Sequence, residues 1–309
     1  MRRARVILNP SSGREKGAGQ VETLNAALSR RFDEVTMSVT SGDGDAERAA
    51  GVAAADGCEA LFVAGGDGTV NEAINGLVGA NALEQMAIGI IPFGTGNDFA
   101  AALGIPTDTE GALAVLDHLR EVRVDLGQVN GRVFVNTSGG GFIGDVSVAV
   151  TPELKTIAGR LAYLIGGAQA LMEFEPVSTT ITIQPGAVRI THDLYTFAVC
   201  NSRLIGGGRL IAPEAVIDDG LLDVCLIEAM SALEFVALAR KVAGGDHVND
   251  PRVRYLKAET VVIEADRDMR INTDGEVLEA RRCEYTVLPR AATFLVGDAP
   301  FAESGEATT

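Results

Sequence analysis

A glycine-rich loop with an aspartate at its centre is the first segment whose residue types suggest chemistry. It reads Gly65-Gly66-Asp67-Gly68-Thr69 and lies between an apolar run and a segment with helical spacing. Glycines leave backbone N–H groups open to a ligand, and a helix amino terminus adds partial positive charge, so the loop suits a phosphate group. Asp67 would repel a phosphate unless a cation lies between them, which points to a Mg²⁺-bound nucleotide. A tight strand-to-helix turn without a ligand explains the same residues.

Two known phosphate-binding motifs do not describe this loop. The chain has no Gly-Lys-Ser/Thr sequence of the Walker A type. Asn71 occupies the position where the dinucleotide-binding fingerprint needs its third glycine. A nucleotide site here would therefore be of another class.

Three further loops repeat the construction at the ends of predicted strands. They are Asn9–Gly13, Thr40–Gly42 and Pro92–Asp98. In a parallel sheet these loops share the carboxyl edge of the strands, where doubly wound sheets bind ligands. Turn geometry alone explains four such loops poorly, so we expect a nucleotide site that contains Asp67 and Asp98.

The first 127 residues predict an α/β nucleotide-binding domain. Short apolar runs between helical segments are typical of a parallel sheet that is buried on both faces. The predicted strands are Arg5–Leu8, Val35–Val39, Ala60–Ala64 and Ile88–Ile91. The predicted helices are Ala46–Ala55, a segment with Val70, Ile74 and Leu77 on one face, and a closing helix at Ala112–Leu119.

Residues 128–300 predict a second domain of mainly antiparallel strands, as a β-sandwich or alternatively a barrel. Asn130-Gly131 suits a type I′ hairpin turn, and Ser231–Val242 predicts a helix with Ser231 and Glu234 as a capping box. The other predicted strands are Thr179–Ile183, Val188–Thr191, Tyr195–Val199, Leu222–Ile227, Thr260–Glu264, Met269–Ile271 and Tyr285–Leu288. We expect residues 301–309 to form a frayed tail.

Three acidic turns in the second domain are candidates for metal or proton chemistry. They are Asp218-Asp219-Gly220 with Asp223 close by, Asp274-Gly275-Glu276, and Gly139–Asp145. Asp-Gly is a common hairpin turn, so composition alone leaves a structural and a chemical role open.

Composition limits the function classes. The chain has 309 residues, 47% hydrophobic and 22% charged, as expected for a globular protein of two domains. Its net charge of −16 argues against nucleic acid as a partner, because phosphates attract basic surfaces. The four cysteines are far apart and fit free thiols in a reducing cytoplasm. With three histidines and no HExxH motif, a zinc site is not expected.

Five segments in order along the chain resemble the soluble bacterial diacylglycerol kinase family. They are NPSSG at Asn9–Gly13, GGDGTVNE at Gly65–Glu72, PFGTGNDFA at Pro92–Ala100, GGG followed by APEAVIDDGLLDV at Ala212–Val224, and DGE at Asp274–Glu276. Wider relatives of the family include sphingosine and ceramide kinases and, more distantly, NAD kinases and phosphofructokinases. GGDGT alone does not separate lipid kinases from NAD kinases, whereas PFGTGND and DDG favour the lipid branch. The resemblance implies a NAD kinase/diacylglycerol kinase-like α/β domain followed by a β-sandwich domain.

The resemblance also implies roles for particular residues. Those that match nucleotide-binding positions are Asn9, Pro10, Ser11, Ser12, Gly13, Thr40, Gly65, Gly66, Asp67, Gly68, Thr69, Val70, Asn71, Glu72 and Thr95. Those that match a structural Mg²⁺ site are Val216, Asp219 and Leu221, the first and last through backbone carbonyls. Glu276 matches the family's proton acceptor, and Asp67, Asp98 and Asp125 match acidic positions that organise water and the catalytic Mg²⁺. At Gly141–Asp145 the family more often has Phe-Asp-Ala, which leaves the role of Asp145 open.

The implied activity is phosphoryl transfer from Mg-ATP to the hydroxyl group of diacylglycerol, giving phosphatidic acid, with Glu276 as general base. ATP and Mg²⁺ are the expected cofactors. The expected partners are the lipid alcohol, the inner membrane surface as a peripheral contact of a cytoplasmic protein, and a second copy of the chain as a candidate homodimer.

Two alternatives to this activity stay open. One is a kinase for another lipid, such as a sphingoid base, or for NAD; the other is a non-catalytic nucleotide-binding regulator. The segment Leu161–Met172 has apolar residues at helical spacing, and we expect a helix that either packs on the β domain or faces the membrane.

Overall fold

The computed structural model describes residues 1–12, 18–149, 174–186 and 188–298. Gly13, the Leu161–Met172 segment and the predicted tail lie outside these ranges. Among the residues that are described, no helix is both long and apolar enough to cross a bilayer. All four cysteines are free and buried, as expected.

A parallel sheet covered by helices forms the first part of the chain. Its strands are β1 (Arg3–Leu8), β2 (Glu34–Val39), β3 (Ala60–Gly65) and β4 (Ala87–Pro92). Its helices are α1 (Ala18–Leu28), α2 (Asp45–Ala55), α3 (Asp67–Gly79), α4 (Asp98–Ala102) and α5 (Thr109–Val115). The strand order is β2-β1-β3-β4, and every residue of β3 is buried, as predicted for a strand between two helical layers.

An antiparallel β-sandwich forms the second part. Its strands are β5 (Arg120–Val129), β6 (Arg132–Phe134), β7 (Thr137–Gly141), β8 (Val177–Gln184), β9 (Val188–Cys200), β10 (Leu204–Ile205), β11 (Arg209–Leu210), β12 (Leu222–Glu228), β13 (Val253–Ala258), β14 (Thr260–Thr273) and β15 (Glu276–Val296). Its helices are α6 (Phe142–Ala149) and α7 (Ala232–Lys241). Buried apolar side chains such as Phe134, Phe197 and Tyr285 fill the core between its layers.

Strand β15 joins the two parts into one continuous sheet. Its first half pairs with β14. Residues 285–288 and 292–296 pair antiparallel with β5, and residues 293–295 pair in parallel with β4. The predicted domain boundary between residues 127 and 128 falls within β5. The loops of the parallel sheet and the turns of the sandwich are therefore held in a fixed relation through shared strands.

The closing helix predicted at Ala112–Leu119 is misplaced. Helix α5 begins three residues earlier, because the Asp108 side chain caps it by accepting a hydrogen bond from the Gly111 N–H at 2.8 Å. The helix ends at Val115, and the chain enters β5 at Arg120 to pair with β15.

Several predicted strands are fragments of longer ones. Val188–Thr191 and Tyr195–Val199 are both parts of β9, because Asp193 between them still pairs with Ser178 of β8. Thr260–Glu264 and Met269–Ile271 are both parts of β14, which shifts register between them. Tyr285–Leu288 is only the middle of β15. In each case polar residues interrupt the apolar pattern within one strand.

The predicted acidic turn at Gly139–Asp145 is wrong, because this segment is the end of β7 followed by α6. Its glycines allow close strand packing: a Cβ atom on Gly140 would lie 2.5 Å from Ile271 Cδ1. Two other local predictions are confirmed. Asn130 and Gly131 have φ values of 48° and 89°, as a type I′ turn requires, and Ser231 forms the capping box with Glu234.

Candidate active site

Two glycine loops lie back to back at the carboxyl edge of the parallel sheet. The N–H of Phe93, directly after β4, donates a hydrogen bond of 2.9 Å to the carbonyl of Gly65, the last residue of β3. A Cβ atom on Gly94 would lie 2.6 Å from the Gly66 Cα, so this approach needs glycine.

The carboxylate of Asp67 joins these loops to each other. It accepts hydrogen bonds from the N–H groups of Asp98 at 3.1 Å and Phe99 at 3.0 Å, at the first turn of α4. Asn136, between β6 and β7, donates from its side chain to the same carboxylate at 3.4 Å. Asp67 thus holds its charge at a helix amino terminus, which stabilises an anion.

Asp98 connects the same loops to the sandwich. Its buried carboxylate accepts hydrogen bonds from the N–H groups of Gly207 at 2.9 Å and Gly208 at 2.7 Å. These glycines, with Gly206, form a hairpin between β10 and β11 in which all three have positive φ. Larger residues would be strained in this backbone conformation, so the hairpin depends on glycine to present its N–H groups to Asp98.

The loops after β1, β2 and β3 are also linked by side chains. Asn9 Nδ2 donates to Thr69 Oγ1 at 2.9 Å. The Glu72 carboxylate accepts from the N–H groups of Gly44 at 3.1 Å and Ala46 at 3.2 Å, at the start of α2. Burial raises the pKa of the Glu72 carboxyl, against the effect of these donors.

The residues predicted to contact nucleotide differ in accessibility. Pro10, Ser11, Gly68 and Thr95 are exposed. Asn9, Ser12, Gly66, Asp67 and Glu72 are half-buried. The buried ones are Thr40, Gly65, Thr69, Val70 and Asn71, and the last two are buried residues of α3. The open backbone of the loops, rather than the side chains of Val70 and Asn71, is therefore the surface available to a phosphate.

The predicted turn Asp274-Gly275 joins β14 to β15 and carries Glu276 at its end. Its φ values are 48° and 99°, as in a two-residue hairpin. The Asp274 carboxylate accepts hydrogen bonds from the N–H groups of Val135 at 2.5 Å, Asn136 at 3.2 Å and Thr137 at 3.0 Å. Asp274 keeps some accessible surface, but its carboxylate is enclosed, and this burial raises its pKa to about 7. Asn136 therefore connects the Glu276 turn to Asp67.

Glu276 itself forms an ion pair with Arg132. The two side chains make two hydrogen bonds, Arg132 Nε to Glu276 Oε2 at 2.9 Å and Nη2 to Oε1 at 2.5 Å. Arg132 also donates to Glu47 Oε2 in α2 at 2.9 Å.

The acidic loop, residues 216–221, contains the predicted magnesium ligands and lies beside Asp125. Buried Asp125 accepts hydrogen bonds from the N–H groups of Arg290 at 2.7 Å and Gly220 at 2.6 Å. Burial raises the pKa of Asp125, and the charges of Asp219 and Asp218 add to that rise. Asp219 pairs with Lys257 at 2.9 Å.

The donor atoms predicted for this loop are the Asp219 carboxylate and the backbone carbonyls of Val216 and Leu221, which are hard oxygen ligands of the kind that Mg²⁺ prefers. Asp218 and Asp219 also repel the nearby Asp125 carboxylate, and a cation would relieve this repulsion. Within the described ranges no three Asp, Glu, His or Cys side chains form a ligand group, so binding would need those carbonyls. The Lys257 ammonium, which also donates to the Glu214 carbonyl at 3.0 Å, offsets part of the negative charge.

Three contributors to this site could not be recognised in the sequence. They are Arg132, Asn136 and Lys257, and each binds a carboxylate that was singled out. The run of three glycines at Gly206–Gly208 was part of the resemblance, but its contact with Asp98 was not predicted. Asp145 pairs with Arg270 of β14 at 3.4 Å rather than with any of the glycine loops.

Two family models match the chain. The model described as the diacylglycerol kinase catalytic domain matches residues 3–129, and the model described as the YegS C-terminal NAD kinase beta sandwich-like domain matches residues 141–296. Together they span both parts of the fold.

Named proteins and solved structures are similar over nearly the whole chain. A diacylglycerol kinase of Bacillus subtilis (strain 168) is 34% identical over 89% of this chain and 90% of its own length. One of Staphylococcus aureus (strain MRSA252) is 34% identical over 89% and 86%. A crystal structure from Bacillus anthracis str. Sterne assigned to the diacylglycerol kinases has a TM-score of 0.80, with 27% identity and 96% of both chains covered.

Proposed function

The chain belongs to the diacylglycerol kinase family and is a lipid kinase, and from this premise we propose that its lipid substrate is diacylglycerol. Mg-ATP would be the phosphoryl donor and phosphatidic acid the product. The observation that carries the proposal is the link between the glycine loops and the Glu276 turn. Asn136 donates from its side chain to Asp67 and from its backbone to Asp274, two residues before Glu276.

The glycine loops would bind the nucleotide phosphates. Their backbone N–H groups and the start of α3 favour anions, and Asp67 and Asp98 supply carboxylate oxygens nearby. Magnesium, when bound, would neutralise charge on the phosphate oxygens. Val216, Asp219 and Leu221 would hold a second, structural ion in the acidic loop.

Glu276 would accept the proton of the attacking hydroxyl. The acceptor oxygen forms a bond to the γ-phosphorus while the bond from that phosphorus to the β–γ bridging oxygen breaks, and ADP leaves. The hydroxyl proton moves to the Glu276 carboxylate. Each carboxylate oxygen has two lone pairs, so its bond to Arg132 leaves one for this proton.

Diacylglycerol resides in bilayers, so we also propose that the protein acts as a peripheral protein at the inner membrane surface. Sedimentation with vesicles that contain diacylglycerol tests this contact. Analytical ultracentrifugation tests the predicted homodimer.

A substrate panel with γ-labelled ATP tests the acceptor. We expect the label in phosphatidic acid, and labelling of sphingoid bases or NAD instead would assign the chain to another branch. Stabilisation by Mg-ATP without labelling of any acceptor would favour the non-catalytic regulator.

Glu276→Gln tests the base. We expect kcat for the accepted lipid to fall ~10²–10⁴-fold, the usual range for a lost general base. The KM for ATP should stay constant, because the side chain would face the acceptor. An increase in that KM with unchanged kcat would place Glu276 on the nucleotide instead.

A further inference from the structure

One arginine joins the proposed base to the nucleotide-binding part of the chain. The Arg132 guanidinium makes two hydrogen bonds to Glu276 and a third, from Nη1, to Glu47. Glu276 begins β15 in the sandwich, whereas Glu47 lies in the first turn of α2 beside the parallel sheet. The bridge therefore spans the two parts of the fold.

The geometry of this pair restricts the orientation of Glu276. A planar guanidinium that donates two parallel hydrogen bonds fixes both the plane and the direction of a carboxylate. The Arg132 side chain is 28% exposed, so water competes only partly for these bonds. A lysine in its place would supply a point charge and would not define the carboxylate plane.

Glu47 in turn relates this orientation to the nucleotide loops. It lies on α2, whose start is held by Glu72 through the N–H groups of Gly44 and Ala46. Glu72 ends the GGDGTVNE segment in α3. Hydrogen bonds from Glu72 to the start of α2, followed by the ion pairs of Arg132 with Glu47 and Glu276, thus connect the glycine loop to Glu276.

We propose that Arg132 is a positioning residue for phosphoryl transfer. It aims the Glu276 carboxylate at the acceptor hydroxyl and, through Glu47, keeps that aim fixed relative to the bound nucleotide. This role rests on the proposed function, because it presupposes that Glu276 is the base. Arg132 binds both Glu276 and Glu47, and Glu72 lies close enough to Glu276 for their negative charges to interact.

The first test replaces the bridging residues. In Arg132→Gln we expect kcat to fall about 10- to 100-fold, which is the loss expected when a reacting group is slightly misplaced. The KM for ATP should stay within about twofold of the wild-type value. Arg132→Lys should recover part of this loss, because one ammonium can pair with one carboxylate. Glu47→Gln should lower kcat by less than about tenfold, because the Glu276 pair remains.

A matched arginine separates positioning from stability. Arg252 also joins two carboxylates, Glu234 at 2.9 Å and Asp250 at 3.3 Å, and its side chain is 33% exposed. Arg252→Gln should lower Tm about as much as Arg132→Gln while leaving kcat unchanged. If both variants lose kcat to the same extent, and each loss follows the decrease in Tm, Arg132 is merely structural.

A double-mutant cycle tests whether Arg132 acts through Glu276. In the Glu276→Gln background, adding Arg132→Gln should change the residual kcat by less than about twofold, because the group to be positioned is gone. Losses that multiply would overturn the proposal. Wild-type kcat in Glu276→Gln would instead overturn the base assignment and the positioning role with it. A normal kcat in Arg132→Gln alone would remove only the role of Arg132.

Discussion

Carboxylates in the two parts of the candidate site are held by different kinds of partner. At the edge of the parallel sheet, Asp67 and Asp98 accept hydrogen bonds from backbone N–H groups of α4 and of the glycine hairpin. Asp274 is held in the same way by backbone N–H groups of residues 135–137, where the chain enters β7. In the acidic loop, Asp219 accepts one backbone hydrogen bond, from the Leu221 N–H at 3.0 Å, but it is also paired with the Lys257 ammonium.

This difference has a physical consequence for each region. Backbone donors are fixed by the fold, so they place a carboxylate accurately without supplying a positive charge. A lysine ammonium is mobile and can give way to another cation. We therefore expect the first region to depend on backbone integrity and proton binding, and the acidic loop to depend on cations.

The largest expected effect concerns proton binding at Asp274. Its pKa is about 7 in the folded chain and 3.8 ordinarily, so between about pH 4 and pH 7 the folded state holds a proton that the unfolded state has released. Stability should therefore fall as pH rises through this window, by up to ~4 kcal/mol at ~1.36 kcal/mol per pKa unit. Asp274→Asn should lose this pH dependence in urea unfolding. If the unfolding free energy of Asp274→Asn changes with pH as steeply as that of the wild type, the backbone donors, and not burial, determine the pKa of Asp274.

Removal of the Asp98 carboxylate should have the next largest effect. Asp98→Ala leaves two N–H groups of the glycine hairpin without an acceptor, which should cost about 3 kcal/mol of unfolding free energy. Asp117→Ala is the control, because both side chains of its pair with Arg30 are more than 60% exposed, so the pair should be worth about 0–1 kcal/mol. Equal losses in the two variants, measured by denaturant titration, would mean that the hairpin does not depend on Asp98.

A smaller effect is expected in the acidic loop. Lys257→Met removes the cation from Asp219 and from Asp223, whose carboxylate lies 3.4 Å from the ammonium. We expect a loss of about 1–2 kcal/mol, because both partners are partly shielded from water. Added Mg²⁺ should restore part of it. A variant as stable as wild type in the absence of divalent ions would contradict the idea that Asp219 needs a cation.

The smallest expected effect is that of Mg²⁺ on the wild-type chain. Without nucleotide, an ion bound at Asp219 should raise Tm by about 2–4 °C, which corresponds to roughly 1 kcal/mol for a chain of this size. The Tm of Asp219→Ala should not respond to Mg²⁺. Asp218→Ala is the matched control and should keep the wild-type response; a Tm that ignores Mg²⁺ in all three proteins would remove the structural ion.

Much of the fold could be predicted because its signals are local. The apolar run of β3, the Asn130-Gly131 turn and the Ser231 capping box each depend on residues within a few positions of one another. The glycine loops could be assigned to one edge because parallel strands all point the same way. The ends of a strand could not be predicted where pairing with a neighbouring strand decides them. Strand β9, for example, continues through the polar residues around Asp193 because they pair with β8.

Asp98, Asp219 and Glu276 could be singled out as candidates from the sequence, but the partners of their carboxylates were decided only by tertiary structure. Arg132 and Glu276 are 144 positions apart, and Asp98 and Gly207 are 109 apart. No periodicity or turn preference spans such a distance. These contacts exist because β15 joins the sandwich to the parallel sheet in one register, which brings the hairpin turns of one to the glycine loops of the other.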